Sequence, residues 1–267
     1  MNLQSFFPIV LLCLFWETLE AAAGNRLIDF STMDDFLDTC MEAKYHKNKP
    51  TAEPGLYKQC HPWKKRACCE GNTTDSLHNS DRWYNFNWDH CPGHTMSGKC
   101  RRHFIQDLCF YECSPNLGPW LVQSNRKLSN ERAVYVPLCR SQCDAWWLDC
   151  KDEFTCRDNW GMGFDWSSGV NKCPAGSVCE TFETKFKNST KFCEQIWDHS
   201  WKVVPDNSPC MQMWFESGIN PNDGVARKRA TYLVQKINSA VAHLSSFVVG
   251  LSCLLCLMIS QGVSRLL

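Results

Sequence analysis

Sixteen cysteines packed between Cys40 and Cys210 constrain this chain more than any other feature. The full 267 residues hold 19. Cys13 falls in an N-terminal apolar run, and Cys253 and Cys256 fall in a C-terminal one, which leaves an even number for the body. In an oxidising compartment these pair off, giving eight bridges, with a connectivity that spacing alone leaves open. A zinc reading is poor, because the body has no Cys-x2-Cys pair. With every body cysteine bridged, no free thiol nucleophile remains.

Both ends of the chain point to the same compartment. Residues 1–23 run from a short polar start through Phe6–Trp16 to Ala21-Ala22-Ala23. The apolar core is shorter than the roughly 20 residues that span a bilayer, so the segment is expected to be a cleaved secretory signal peptide. At the far end stand Asn238-Ser239-Ala240, a mildly polar spacer to Ser246, and an apolar run from Phe247 to Ile259. Small residues, spacer and greasy tail are the order of a glycolipid-anchor signal, with Asn238 as the expected attachment residue and 238–267 removed on maturation. Asn72-Thr73-Thr74 and Asn188-Ser189-Thr190 are N-glycosylation acceptors, so Asn72 and Asn188 are expected on the surface. The remaining body, 24–237, is one domain on length. Formal net charge is zero and no basic run is longer than Lys64-Lys65-Arg66, so nucleic acid is not an expected partner.

Hydrophobic spacing predicts helices over 31–46, 99–113, 139–151 and from Ser189 to Trp201. In the third, Cys139, Cys143, Trp146, Trp147 and Cys150 share a stripe. Ser114-Pro115-Asn116 ends the second. The aromatic run from Trp83 to Trp88 reads as a short strand, and 152–187 as loop. The stretch 223–240 leads helically into the tail. The expected class is α+β: a mainly helical, loop-rich globular domain with short strands, stapled by its disulfides.

No enzyme constellation is present: no Gly-x-Ser-x-Gly, no His-Glu-x-x-His and no phosphate-cradling glycine loop, and no cofactor is expected. His90 and His94 flank Cys91 and are expected to be loop residues beside a bridge. Tryptophan is the unusual residue, with 12 copies, several in polar loops such as Trp160-Gly161-Met162-Gly163-Phe164-Asp165-Trp166. Aromatic walls with a few fixed polar groups suit a flat heteroaromatic ligand. One buried carboxylate can then read a ring edge carrying two N–H donors.

Several motifs carry a family resemblance. His103-Phe104-Ile105-Gln106-Asp107, the run from Tyr111 to Trp120, Val136-Pro137-Leu138-Cys139, Trp146-Trp147, Asp149-Cys150, Thr155-Cys156 and Gln212-Met213-Trp214-Phe215 resemble the folate receptor family. The resemblance spans about residues 36 to 228. It implies bridges Cys40–Cys68, Cys60–Cys109, Cys69–Cys113, Cys91–Cys179, Cys100–Cys150, Cys139–Cys210, Cys143–Cys193 and Cys156–Cys173. It also implies a pocket in which Asp107 reads the 2-aminopyrimidine edge of folate while Tyr111 and Trp197 sandwich the pterin. Arg132 and Ser200 match polar partners of the ring. Tyr84, Phe86, Trp88 and Trp160 match the outer aromatic wall, and Trp166 matches a contact near the glutamate tail.

The chain also departs from the family pattern. A Trp-Arg pair is Leu128-Ser129 here, a His-Lys pair is Gly161-Met162, and Phe164 replaces a tryptophan. Two missing charged hydrogen bonds, at roughly 1.5–3 kcal/mol each, correspond to about two to four decades of affinity. The expectation is a lipid-anchored surface receptor that binds folic acid or reduced folates and takes them up by endocytosis. The alternative, from another class, is an egg-surface receptor of the same family that binds a sperm protein and not folate. A third is a carrier for another flat heterocycle, as in riboflavin-binding proteins.

Overall fold

The computed structural model describes residues 25–80, 83–126 and 128–263. The expected leader at 1–23 lies outside them. Among the described residues the helices are α1 (Met33–Leu37), α2 (Gly71–Asn79), α3 (Gly98–Cys113), α4 (Arg140–Cys150), α5 (Phe182–Phe186), α6 (Ser189–Gln195) and α7 (Asn222–Val263). The strands are β1 (Leu121–Arg126), β2 (Ser129–Ala133), β3 (Val136–Cys139), β4 (Phe154–Thr155), β5 (Glu180–Thr181) and β6 (Trp201–Val204). They pair as three small ribbons: β1 with β2 and β4 with β5 antiparallel, β3 with β6 parallel. The architecture is α+β, mainly helical, with long connections.

Helix α3 is the spine. Ser97 caps it by accepting from the Cys100 amide, and Ser114, extended before Pro115, ends it. Its buried residues include Cys100, Phe104, Asp107, Cys109, Phe110 and Cys113. Three bridges leave this helix: Cys60–Cys109 to the preceding 3-10 turn, Cys69–Cys113 to the loop before α2, and Cys100–Cys150 to α4. Cys143–Cys193 joins α4 to α6, and Cys139–Cys210 closes the end of β3. Cys40–Cys68, Cys91–Cys179 and Cys156–Cys173 hold the loops. Each closed loop removes roughly 2–4 kcal/mol of unfolded-state freedom. Such staples matter where so little of the chain is regular ladder.

Close packing also fixes one glycine. A Cβ on Gly118 would stand 2.1 Å from the Phe36 carbonyl oxygen, so the Leu117-Gly118-Pro119 turn lies directly on the end of α1. At the N-terminal side, Arg26 forks onto Glu131 at 2.6 and 2.7 Å and ties the first described residues to β2.

Four local expectations are corrected. The helix expected over 31–46 stops at Leu37, capped by Thr32. Beyond it the Cys40 amide bonds to the Asn48 carbonyl, and Cys40 and Met41 bury from a loop, so their spacing reports burial and not a helix. Trp83 to Trp88 is no strand. Tyr84 and Asn85 take left-handed φ of 59° and 57° in a 3-10 turn, and Trp83, Phe86 and Trp88 all bury instead of alternating. The helix from Ser189 ends at Gln195, because Asp198 and His199 turn left-handed (φ 55° and 61°) before Trp201 opens β6. The loop expected over 152–187 contains β4, β5 and α5.

Helix α7 runs without a break through the expected attachment residue, Asn238, which is exposed. Among the described residues no helix is long and apolar enough to cross a membrane.

Candidate functional site

Asp107 lies on the buried face of α3, one turn before Tyr111, so the two side chains share a face. It is only 5 % exposed. The indole N–H of Trp201, the first residue of β6, donates to its Oδ1 at 2.9 Å. The β3–β6 pairing, Val136 against Trp201, sets that indole over the helix. Burial pushes the Asp107 carboxyl up to about 7, and the indoles of Trp201 and Trp197 only partly offset it. Of the two, Trp201 makes the full hydrogen bond. The Trp197 N–H completes none and stays buried and unpaired. A carboxyl that titrates near neutrality, with acceptor capacity left over, is suited to reading paired N–H donors.

Around it stands an aromatic wall. Phe104 stacks on Trp160 at 4.9 Å and 10°. Phe86 lies 5.3 Å from Trp160 and 5.1 Å from Trp88, and Trp197 meets Trp160 edge-on at 5.7 Å. Trp88 adjoins Phe104 at 5.2 Å, and Phe164 adjoins Phe86 at 5.7 Å. Trp160 is oriented by its N–H, which donates to the Thr155 hydroxyl at 2.9 Å. Trp166 touches the wall only through Phe86, at 6.3 Å, and is 45 % exposed.

The turn after α6 carries the charged groups. Trp197-Asp198-His199-Ser200 is pinned by Arg132, whose Nη1 donates to Asp198 Oδ2 at 2.6 Å and whose Nη2 donates to the Asp198 carbonyl. Arg126 donates to the same carboxylate oxygen, and Asn159 donates to the other at 3.0 Å. Burial pushes the Asp198 carboxyl up, but the Asn159 amide and then Arg132 and Arg126 outweigh it and hold it below the usual range. The Ser200 hydroxyl donates to the Trp197 carbonyl at 2.9 Å, so it braces the turn.

Tyr84 meets another buried acid, with Tyr111 close by across His46. Glu112 is fully buried and accepts from the Tyr84 hydroxyl at 2.5 Å and from the Trp83 indole at 3.4 Å. His46 Nδ1 stands 3.7 Å from its second oxygen, while His46 Nε2 donates to the Tyr111 carbonyl at 2.9 Å and its ring meets Tyr111 edge-on at 5.3 Å. Burial raises the Glu112 carboxyl, against the pull of His46 and Tyr84.

The structure thus places Asp107, Trp197, Phe86, Trp88 and Trp160 about one aromatic centre. Arg132 and Ser200 brace the turn that carries Trp197, Tyr84 sits on Glu112, and Tyr111 meets His46. Asp198, Arg126 and Asn159 had no sequence signal; Glu112 lay within the motif from Tyr111 and Trp201 among the abundant tryptophans, but nothing in the sequence set either apart as a site residue. His90 and His94 are structural. His90 contacts Thr155 Oγ1 at 3.0 Å, with burial pushing it down to about 4, and His94 stacks on Phe154 at 3.6 Å.

A separate open cleft of about 370 Å³ lies beside Cys139–Cys210. Asp206 there is engaged by Ser141 at 2.6 Å, and no aromatic ring lines it. It offers a flat ligand nothing to stack on.

Comparison with known proteins gives the family. The model of the folate receptor family matches residues 39–212. Folate receptor gamma of Homo sapiens is 51 % identical over 198 residues, 72 % of this chain and 80 % of its own length. Folate receptor alpha of Homo sapiens is 45 % identical over 82 % of this chain and 85 % of its own. The riboflavin-binding protein of Gallus gallus is 32 % identical over 71 % of this chain and 74 % of its own. The chain belongs to the folate receptor family.

Proposed function

We propose that the chain is a lipid-anchored surface receptor that binds folate and takes it up by endocytosis. The observation that carries this reading is the buried Asp107 carboxyl, which accepts from an indole N–H and lies on the same helix as Phe104 of the aromatic wall. In this reading the carboxylate accepts from the two N–H groups of the pterin's aminopyrimidine edge, and Tyr111 and Trp197 hold the ring faces. Arg132 with Ser200, and Tyr84, Phe86, Trp88, Trp160 and Trp166, line the remainder. The chain matures by loss of 1–23, glycosylation at Asn72 and Asn188, and attachment of a glycolipid at Asn238 with loss of the tail. Both asparagines are exposed. Asn188 spends only its carbonyl oxygen on capping α6, which leaves its amide nitrogen available. The test uses cells displaying the full chain. Labelled folic acid should enter them, compete with 5-methyltetrahydrofolate, and fail to enter when Asp107 is alanine. Uptake equal to that of untransfected cells would refute the reading.

A second reading, a gamete receptor for a sperm protein, is favoured by one observation. Leu128 and Met162, where the family pattern has polar or aromatic side chains, are 41 % and 59 % exposed. Folate-independent binding of the soluble body to sperm would support it.

A further inference from the structure

Arg126 has no counterpart in the pattern that directs the other site residues, yet the fold carries it into the site. In the β1–β2 ribbon it is the direct cross-strand partner of Ser129. Directly opposed residues in an antiparallel pair project from the same face, with Cβ atoms about 5 Å apart. Ser129 is the position at which the family pattern has its extra arginine. The cation has therefore moved across the hairpin and has not been lost.

The opposite wall has changed to match. Gly161 stands where the family pattern has histidine. A Cβ there would lie 3.4 Å from Arg126 Nη1, 3.3 Å from Asp198 Cβ and 3.3 Å from Asn159 Oδ1. A side chain at 161 and the Arg126 guanidinium compete for one space, and in this chain the guanidinium has it. Asp198 then grips Arg126 and Arg132 through the same oxygen. Two cations share one carboxylate, which leaves a single positive charge in excess beside Trp197.

Polar atoms left unpaired mark the same place. Arg132 Nε and Asn159 Oδ1 are buried without a hydrogen-bond partner, as is Trp197 Nε1. Buried polar groups are ordinarily satisfied, so the two orphaned donors, Arg132 Nε and Trp197 Nε1, beside a charged pair point to a ligand that brings acceptor atoms.

We infer that Arg126 is a specificity-determining residue of this pocket: with Arg132, and positioned by Asp198, it presents N–H donors to an oxygen acceptor on the ring edge beyond Asp107. This rests on the folate reading and adds to it a preference. An oxo group meets the guanidiniums as an acceptor, whereas an amino group at the same ring position meets them donor against donor.

The experiment is calorimetric titration of the secreted body with folic acid and with its 4-amino analogue, aminopterin. Wild type should favour folic acid. Arg126→Ala should weaken folic acid about tenfold or more and change aminopterin less than about threefold. Arg126→Gln, which keeps the aliphatic stem and a polar end but removes the charge and the reach, guards against a folding defect and should behave likewise. Restoring the cation across the hairpin, in Arg126→Ala with Ser129→Arg, should recover most of the lost affinity, which a merely structural role for Arg126 would not allow. If wild type binds folic acid and both Arg126 variants bind both ligands as wild type does, or lose both equally, this inference is wrong and the pocket stands. If wild type binds neither ligand, the folate reading fails and takes this inference with it.

Discussion

Replacing Asp107 with asparagine should stabilise the empty protein while disabling it. The carboxyl's ordinary value is 3.8, and burial lifts it to about 7. The folded state therefore holds a proton that the unfolded chain releases, and stability falls as pH rises from about 4 to about 7. At pH 7.4 most of that loss is in place, about 4 kcal/mol at most. An amide keeps the oxygen that accepts from Trp201 and never ionises. Allowing for relaxation, Asp107→Asn should gain about 2–4 kcal/mol at pH 7.4 and close to nothing at pH 4. For a domain of this size that is roughly 5–15 °C in Tm. The assay is calorimetric unfolding of the ligand-free body and its variant at half-unit steps from pH 4 to 8. Glu112, also raised by burial, contributes equally to both proteins, so the difference isolates Asp107. A variant no more stable than wild type at pH 7.4, or one with an undiminished pH slope, would refute the reasoning. The binding site would then not be the strained place that this geometry describes.

Four further outcomes are expected, the first resting on the same carboxyl. Folic acid should bind the ionised Asp107, half populated near pH 7 and about 1 % populated at pH 5, so its affinity should fall roughly 50-fold over that interval; fluorescence titration at each pH reads it. Gly118→Ala drives a Cβ into the Phe36 carbonyl and should cost about 3 kcal/mol or more, seen as lower Tm and poor secretion. Glu112→Ala leaves the Tyr84 hydroxyl and Trp83 indole unpaired and should cost about 2–3 kcal/mol, whereas Glu112→Gln, which still accepts from Tyr84, should cost less in the same unfolding assay. Phosphatidylinositol-specific phospholipase C should release the displayed chain from cells, and retention on the membrane would count against the anchor at Asn238.

How much of this was legible beforehand varies with the physics. Helices α3 and α4 were readable because their buried residues recur at helical spacing and Ser114-Pro115-Asn116 marks α3's end. The number of bridges followed from counting and compartment, but their pairing came from the family resemblance, since spacing does not encode it. Cys40 and Met41 misled because a disulfide buries a loop as thoroughly as a helix face. The turn at Asp198 was hidden for a related reason: it is held by Arg126, Arg132 and Asn159, all more than 35 positions away in sequence. Asp107 by itself reads as a solvated helix acid. Only its burial in the folded protein makes it a neutral-range carboxyl, against the pull of the Trp201 indole N–H. Arg126 needed the strand register, because its meaning comes from standing opposite Ser129.

The most direct test of the central claim is calorimetric titration of the correctly oxidised body, residues 24–237, with folic acid at neutral pH, beside Asp107→Ala. The account predicts saturable one-site binding by wild type, and its loss in a variant whose unfolding shows the fold intact. Absence of binding by wild type, or equal binding by both proteins, would contradict it.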